Sequence, residues 1–165
     1  MGSYCERVIG LDISPAMLAE AERQKIARGV ANVHFQSELL EGQRADWINS
    51  YIVFQHIAPR VGMPILEGLL QRLNPGGFIS VQLTYFHDSR HLTELTRDVA
   101  AYTFDGEQMR VLADAALEIG AMEMFDYDLN GVFRLLDRHG LGEVQVRQTD
   151  HGGCHGVWLF GRKER

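Results

Sequence analysis

The first residue that could do chemistry is a carboxylate, Asp12, which directly follows the apolar run from Val8 to Leu11. Such a run predicts a buried strand, and a carboxylate at the carboxyl end of a strand can accept hydrogen bonds from both hydroxyls of a ribose. Ser14 and Pro15 come next and are typical of the start of a helix. Asp12 is therefore predicted to face a ligand crevice. The alternative is that it only caps the turn before Ser14.

A second group of polar residues lies in and after the strand predicted over Asp46 to Phe54. Ser50 and Tyr51 place polar groups inside an otherwise apolar segment, and because buried polar groups need partners they are pocket candidates. His56 follows this strand, where an imidazole could act as a general base near an acceptor oxygen or nitrogen. The alternative is that His56 orients the loop through hydrogen bonds.

A rival chemistry is metal binding near the end of the chain. The residues of metal-ligand type there are Asp150, His151, Cys154 and His155. However, the spacing of the two histidines suits a helix, and two glycines between them favour a flexible hairpin instead. We therefore expect no metal site.

Composition limits the classes of function. The chain has 165 residues, 45% of them hydrophobic, which suits one domain with a real core. A formal charge of −6 without a basic stripe argues against nucleic acid or an anionic membrane as partner. No apolar run could span a bilayer and no signal peptide is evident, so we expect a cytoplasmic protein. Cys5 and Cys154 are expected to be free thiols, and Met1 to Ser3 carry no pattern and resemble a cloning or start-codon remnant.

Short runs of β-prone residues bounded by charged or turn residues predict six strands. The segments are Val8 to Leu11, Val33 to Gln36, Asp46 to Phe54, Phe78 to Leu83, Glu143 to Thr149 and Val157 to Arg162. The first is expected to be buried on both faces. A turn is predicted over Asn74 to Gly77, and the last two strands, joined by a glycine-rich loop, form a hairpin.

Apolar periodicity and capping residues predict five helices between these strands. They cover Pro15 to Arg28, Met63 to Leu73, Asp88 to Ala100, Asp105 to Ile119 and Asp128 to Arg138. The first should bury Met17, Leu18, Ala21 and Ile26 and stop at Gly29. Alternating strands and helices that end in a hairpin predict a single α/β domain with a mostly parallel sheet and an antiparallel edge.

With these elements in order, the chain resembles the class I S-adenosylmethionine-dependent methyltransferases of the small-molecule type. Three motifs carry the resemblance, and the match runs from Val8 to the end of the chain. The motifs are VIGLDIS at 8–14 with ML at 17–18, SYIVFQHI at 50–57, and LNPGGF at 73–78. The resemblance implies a Rossmann-like methyltransferase fold with S-adenosylmethionine as cofactor.

The resemblance also implies roles for single residues. Asp12 and Ile13 fall at the ribose-binding position, and Glu38 and Leu39 fall where an acidic and an apolar residue contact adenine. A solvated loop carboxylate is the alternative for Glu38, which replaces the more usual, shorter Asp. Ser50 and Tyr51 come at the strand that faces the sulfonium. The acceptor side holds Tyr85, His87 and His91, which could otherwise lie on a surface helix.

The resemblance further implies a first strand and a Gly-rich cofactor loop before Asp12, and neither is in this sequence. We therefore expect a truncated domain whose central first strand is missing from a sheet of order 3-2-1-4-5-7-6. Opened sheet edges favour a homo-oligomer, most simply a dimer with strand exchange. Two functions follow as expectations: a methyltransferase of small molecules, impaired or inactive as this truncated chain, or a noncatalytic remnant that oligomerises or binds a small molecule.

Overall fold

The computed structural model describes residues 4–88, 100–104, 109–113 and 124–164. The chain divides into two compact units, Met1–Gln43 and Arg44–Arg165. Each unit is described by itself.

The first unit contains two parallel strands and one helix. Strand β1 (Val8–Leu11) pairs with β2 (Val33–Gln36), and helix α1 (Pro15–Ala27) connects them. The predicted N-cap is confirmed, because the Ser14 hydroxyl accepts a hydrogen bond from the Met17 N–H at 3.4 Å. Both strands and the extent of the helix match the prediction within one residue at each end.

The burial predicted for this unit is wrong. The side chains of Leu11, Met17 and Ile26 are 43%, 56% and 71% exposed, and Leu18 and Ala21 are only half-buried. No described residue of the unit is fully buried. The physical reason is that a single short helix can cover only one face of a two-stranded sheet, which leaves β1 without a second layer.

The second unit contains a four-stranded sheet with the order β3-β4-β8-β7. Its members are β3 (Ala45–Ser50), β4 (Leu73–His87), β7 (Val144–Asp150) and β8 (Cys154–Arg162). β3 runs parallel to β4, and β8 runs antiparallel to both of its neighbours. Parallel pairs with an antiparallel C-terminal hairpin confirm the predicted α/β class. In the sheets β1-β2 and β3-β4-β8-β7, adjacent strands follow the order that the resemblance implies.

The hydrophobic core covers one face of this sheet. Helix α2 (Pro59–Arg72) and helix α3 (Leu129–Arg138) supply buried leucines and a valine that meet the apolar side chains of β4 and β8. The central residues are Leu66, Leu70, Ile79, Val81, Leu83, Val132, Leu135, Leu136, Val157 and Leu159. Their burial makes this unit the stable part of the chain.

The opposite face of the sheet has a different composition. Ser80, Gln82 and Thr84 alternate with the core residues along β4, and all three are buried. Gln82 lies opposite Trp158 on β8, and Ser80 opposite Phe160. Large aromatic side chains therefore cover a column of polar groups on this face.

Several boundaries differ from the prediction. The third strand ends at Ser50 rather than Phe54, because the backbone turns at Ile52 and then forms a 3-10 helix over Phe54–His56. The next helix begins at Pro59, where the fixed φ of proline suits a first turn. The turn predicted over 74–77 lies inside β4, at residues without partners in the parallel ladder to β3, and Gly76 has a positive φ of 78°.

The helix predicted over Asp105 to Ile119 is wrong at Met109–Ala113, and its residues 105–108 and 114–119 lie outside the described residues. Met109–Ala113 form strand β6, which pairs antiparallel with β5 (Ala100–Phe104). The dipeptide Asp105-Gly106 between them is a hairpin signal that outweighs the weak helical pattern. Ala100, the predicted end of the preceding helix, belongs to β5; residues 89–99 of that helix lie outside the described residues.

The last predicted helix, the C-terminal hairpin and the free cysteines are confirmed, whereas β4 extends beyond the predicted range 78–83 at both ends and β8 begins at Cys154 rather than Val157. Helix α3 has Asp128 as its N-cap, and β7 and β8 form the predicted hairpin. Cys5 and Cys154 are free cysteines. Within the described ranges, every helix is too short or too polar to cross a lipid bilayer.

Candidate functional site

Asp12 lies at the carboxyl end of β1 and is exposed. Its Oδ1 accepts a hydrogen bond from the Ser14 N–H at 2.8 Å, and its own N–H donates to the Gln36 carbonyl at 3.3 Å. Asp12 thus has the turn role that was considered as an alternative. This bond uses Oδ1, so Oδ2 can still accept a hydrogen bond from a ligand.

Glu38 and Leu39 follow β2 at the same end of the two-stranded sheet. This follows from the register, because Leu11 pairs with Gln36 as the last residue of each parallel strand. The Glu38 side chain is exposed and Leu39 is half-buried. Ile13, which comes directly after Asp12, is 90% exposed. The first unit therefore places two carboxylates and two apolar side chains in the turns at one sheet edge.

A pair of glutamines organises the turn that carries Glu38, and sequence reasoning missed both. Gln36 Nε2 donates to the Glu38 carbonyl at 2.5 Å and to Gln43 Oε1 at 2.8 Å. Gln43 Oε1 also accepts from the Leu40 N–H at 2.8 Å. Two glutamines seven residues apart give no recognisable pattern, so only the folded turn reveals this role.

In the second unit, Ser50 ends β3 half-buried and Tyr51 begins the loop that follows. The Tyr51 ring contacts Trp158 with a centroid distance of 4.8 Å and meets His151 edge-on at 5.9 Å. Its hydroxyl lies 3.3 Å from His151 Nε2. The loop after β3 is thus tied to the turn of the β7–β8 hairpin.

The buried polar residues of β4, Ser80, Gln82 and Thr84, form hydrogen bonds with the end of β3 and with the loop that follows it. Ser80 Oγ donates to Asn49 Oδ1 at 2.5 Å, and Gln82 Oε1 accepts from the Ile52 N–H at 3.2 Å. Farther along, Thr84 Oγ1 donates to Gln55 Oε1 at 3.2 Å. The sequence showed only imperfect alternation in β4, and these bonds explain why polar residues occur in its buried stretch, residues 79–84.

His56 lies in the 3-10 helix that ends this loop, and its side chain is exposed. Its Nε2 is 3.0 Å from Gln55 Nε2. Because the Gln55 amide oxygen already accepts from Thr84, its NH₂ group is the part that donates to His56 Nε2. The structure therefore places His56 in a hydrogen-bonded loop, the arrangement expected of an orienting histidine.

The residues predicted on the acceptor side separate in the structure. Tyr85 is half-buried and packs against the core cluster. His87, at the end of β4, has Nδ1 3.0 Å from Asp126 Oδ2, and both side chains are largely buried. His91 lies outside the described residues. Asp126 was not recognised in the sequence, since no spacing links it to a residue 39 positions earlier.

Cys154 begins β8 opposite His87. Burial raises the pKa of its thiol above the ordinary value, and the nearby carboxylates of Asp126, Asp150 and Asp88 raise it further. Asp150 and His155 pair across the hairpin, and Asp150 Oδ1 accepts from the Gly153 N–H at 2.7 Å. In the part of the chain that the structure describes, no group of three His, Cys, Asp or Glu side chains could hold a metal ion.

Comparison with protein families matches residues 1–81 to a family model described as a methyltransferase domain. This region contains Asp12, Glu38, the loop after β3 and the first half of β4. A comparison with curated protein sequences gave no significant match.

Solved structures resemble the chain over nearly its whole length. A methyltransferase from Methanosarcina mazei matches with a TM-score of 0.72 at 14% identity, covering 99% of this chain and 84% of that one. Magnesium protoporphyrin IX methyltransferase from Synechocystis, with bound S-adenosylhomocysteine (SAH), has a TM-score of 0.67 at 14% identity over 99% of this chain.

A third structure is a Burkholderia thailandensis 1,6-didemethyltoxoflavin-N1-methyltransferase with its substrate and SAH, with a TM-score of 0.57 at 17% identity over 96% of this chain. The chain spans 66% of the length of the Synechocystis enzyme and 62% of the Burkholderia enzyme. The first 81 residues match a methyltransferase domain family, and nearly the whole chain has the fold of S-adenosylmethionine-dependent methyltransferases.

Proposed function

We propose that this domain transfers the methyl group of S-adenosylmethionine to a small-molecule acceptor. The observation that carries the proposal is Asp12, an exposed carboxylate at the carboxyl end of a parallel strand, within the region that matches the methyltransferase family. Strand ends of this kind form the ligand crevice of open α/β sheets. Oδ2 of Asp12 remains able to accept from a ribose hydroxyl while Oδ1 holds the turn.

The residues of the first unit are proposed to hold the adenosine part of the cofactor. Asp12 would accept from the ribose hydroxyls and Glu38 from the adenine amino group. Ile13 and Leu39 would contact the apolar ring faces, and an Ile13 side chain left 90% exposed suits such a contact. The donor set, two carboxylates with two apolar side chains at one sheet edge, fits an adenosine.

The residues of the second unit are proposed to serve the reacting end. The cofactor supplies an electrophilic methyl group on a sulfonium. Ser50 and Tyr51 would lie beside it, and His56 would take a proton from the acceptor on Nε2, in place of the hydrogen bond that this atom accepts from Gln55. Tyr85 and His87 would contact the acceptor, with His87 oriented by Asp126. His91 stays a prediction for the same side.

Isothermal titration calorimetry with SAH tests this function without knowledge of the acceptor. Micromolar binding supports the methyltransferase. No heat at millimolar SAH would contradict it and would instead support a noncatalytic module that associates or binds another small molecule.

We also propose that the protein is a homodimer in which β1 and α1 pair with the sheet of a partner. Two features support this. Among the described strands, β1 pairs only with β2 and β3 only with β4, so each leaves one edge open. In addition, Leu11, Met17 and Ile26 are exposed apolar side chains on β1 and α1. Open, apolar strand edges favour pairing with another chain.

Size-exclusion chromatography with light scattering measures the mass in solution directly. A mass of two chains that persists at micromolar concentration is expected. A stable, folded monomer would exclude the exchanged dimer.

A further inference from the structure

The segment Tyr51–Ile52 has the most unusual backbone in the second unit. Ile52 has a φ of 56°, and it is the only residue other than glycine with a positive φ among the described residues. A β-branched residue is strained in this conformation, and such strain persists only where the surroundings hold it in place. Something in the structure must therefore fix this segment.

Gln82 supplies that restraint. Its side chain is completely buried, and its Oε1 accepts the Ile52 N–H at 3.2 Å, at the strained residue itself. Trp158 lies opposite Gln82 in the sheet, and its ring packs on Tyr51. Together they hold both residues of the segment, one through the backbone and the other through the side chain.

The position of the Gln82 amide is itself tightly defined. A side chain at Gly156 would place its Cβ 2.6 Å from Gln82 Nε2 and 2.7 Å from the Leu83 carbonyl. The amide therefore lies flat against the β8 backbone at a residue without a side chain. Gln82 Nε2 has no hydrogen-bond partner within the described structure, so Oε1 makes the hydrogen bond of this amide, to Ile52, while the NH₂ group is buried at a cost.

We propose that Gln82 is a positioning residue for cofactor binding: its amide oxygen fixes the strained Ile52 and thereby the placement of Ser50 and Tyr51. This inference rests on the proposed function, because it assigns Ser50 and Tyr51 to the reacting end of the cofactor. Gln82 does not touch the cofactor and acts only through the Tyr51–Ile52 segment.

The test compares Gln82→Met with Ser80→Ala. Methionine has nearly the same length as glutamine but no acceptor, whereas Ser80→Ala removes a buried polar group from the same column and leaves the bond to Ile52 intact. Two readouts are measured on the full chain: the dissociation constant of SAH by calorimetry, and hydrogen exchange of the Ile52 amide by NMR.

We expect Gln82→Met to weaken SAH binding about tenfold and to speed exchange at Ile52 by about tenfold, as loss of one buried hydrogen bond implies. Ser80→Ala should change both by less than about threefold. Adding Ile52→Asn to Gln82→Met should restore most of the affinity, since asparagine adopts a positive φ at lower cost. Rescue of this kind is not expected from a general loss of stability.

The outcomes separate the two proposals. Wild-type protein that fails to bind SAH contradicts the proposed function, whatever the variants do. Wild-type protein that binds SAH, with Gln82→Met binding equally well or Ser80→Ala losing as much, overturns the positioning role alone. If Gln82→Met fails to fold, Gln82→Leu takes its place, because leucine also lacks the acceptor, and unchanged SAH binding in that variant would equally contradict the role.

Discussion

At the scale of single residues, Asp12 combines a structural and a proposed binding role in one carboxylate. Its Oδ1 holds the Ser14 N–H, which shapes the turn into α1, and the hydroxyl of Ser14 in turn caps the helix. The two roles are separable, because an amide keeps the acceptor for the turn but loses the negative charge that strengthens a bond to a ribose.

We predict that Asp12→Asn weakens SAH binding about tenfold with little change in stability. A charge-assisted hydrogen bond contributes about 1.5–3 kcal/mol, and part of it survives in the amide. Ser14→Ala is the matched control: it should lower stability by about 1 kcal/mol through the lost cap and leave the affinity nearly unchanged. Calorimetry with SAH and urea denaturation measure both. Equal affinities for wild type and Asp12→Asn would remove Asp12 from the binding site.

Tyr127 gives a residue-scale prediction that depends on pH. Its hydroxyl donates to the Ile57 carbonyl at 2.7 Å, and burial holds its pKa well above the usual range. Because the folded-state pKa is raised, the stabilisation is fully present below the unfolded pKa near 10 and is lost as pH rises above it. The free energy of unfolding should therefore fall more steeply above about pH 10 in wild type than in Tyr127→Phe, by about 1.4 kcal/mol per pH unit.

Urea denaturation between pH 8 and pH 11 checks this difference. Near neutral pH, Tyr127→Phe should cost about 1 kcal/mol for the lost hydrogen bond to Ile57. Parallel pH profiles for the two proteins would mean that the phenol ionises without unfolding the chain.

At the scale of elements, the sequence predicted the N-terminal ends of two helices better than it predicted which helix residues are buried. Ser14 is the N-cap that was predicted, and Asp128, predicted as the first residue of its helix, is the N-cap there, because capping depends only on a side chain and the amides that follow it. Exposure of Met17 and Ile26 was not predictable, since periodicity shows which face is apolar but not whether anything covers it. The β5–β6 hairpin was not predicted, because Asp105 and Gln108 have the spacing of a helix capping box, which conflicts with the hairpin signal Asp105-Gly106.

Helix α3 provides the element-scale prediction. Both carboxylate oxygens of Asp128 are used, accepting from the Asn130 and Gly131 N–H groups at 3.0 Å each. Asp128→Ala should therefore lower the free energy of unfolding by about 1–2 kcal/mol, whereas Asp128→Asn, which keeps an acceptor, should lose only a few tenths. Urea denaturation measures both values. The same loss in both variants would show that charge near the helix end matters more than the cap geometry.

At the scale of the whole molecule, stability is distributed unevenly between the two units. All fully buried residues among those described belong to the second unit, whereas the first has none. This asymmetry could not be predicted from a content of 45% hydrophobic residues, because composition does not show which apolar side chains contact one another. The residues proposed for binding and catalysis are divided between the units, with Asp12 and Glu38 in the first and Ser50, Tyr51 and His56 in the second.

This asymmetry predicts a hydrogen-exchange pattern that depends on concentration. Amides of β1 and β2 should exchange at least tenfold faster than those of β4 and β8 in dilute protein, because few apolar contacts oppose their opening. If a partner covers the first unit, its protection should rise with protein concentration while that of β4 stays constant. Mass-spectrometric exchange at two concentrations tests this. If the hydrogen-exchange protection of β1 is the same at both protein concentrations, the result argues against the exchanged dimer.

The contact at Gly156 constrains how this domain can vary between relatives. A methyl group there would collide with the Gln82 amide and the Leu83 carbonyl on β4 and with Thr149 Oγ1 on β7, so the obstacles lie on both neighbouring strands. No single compensating change can make room on both sides, since one of the obstacles is backbone. In a saturation library of the β7–β8 hairpin, position 156 should accept glycine alone, while the nearby position 152, where an added Cβ would meet nothing within 4 Å, should accept asparagine as well.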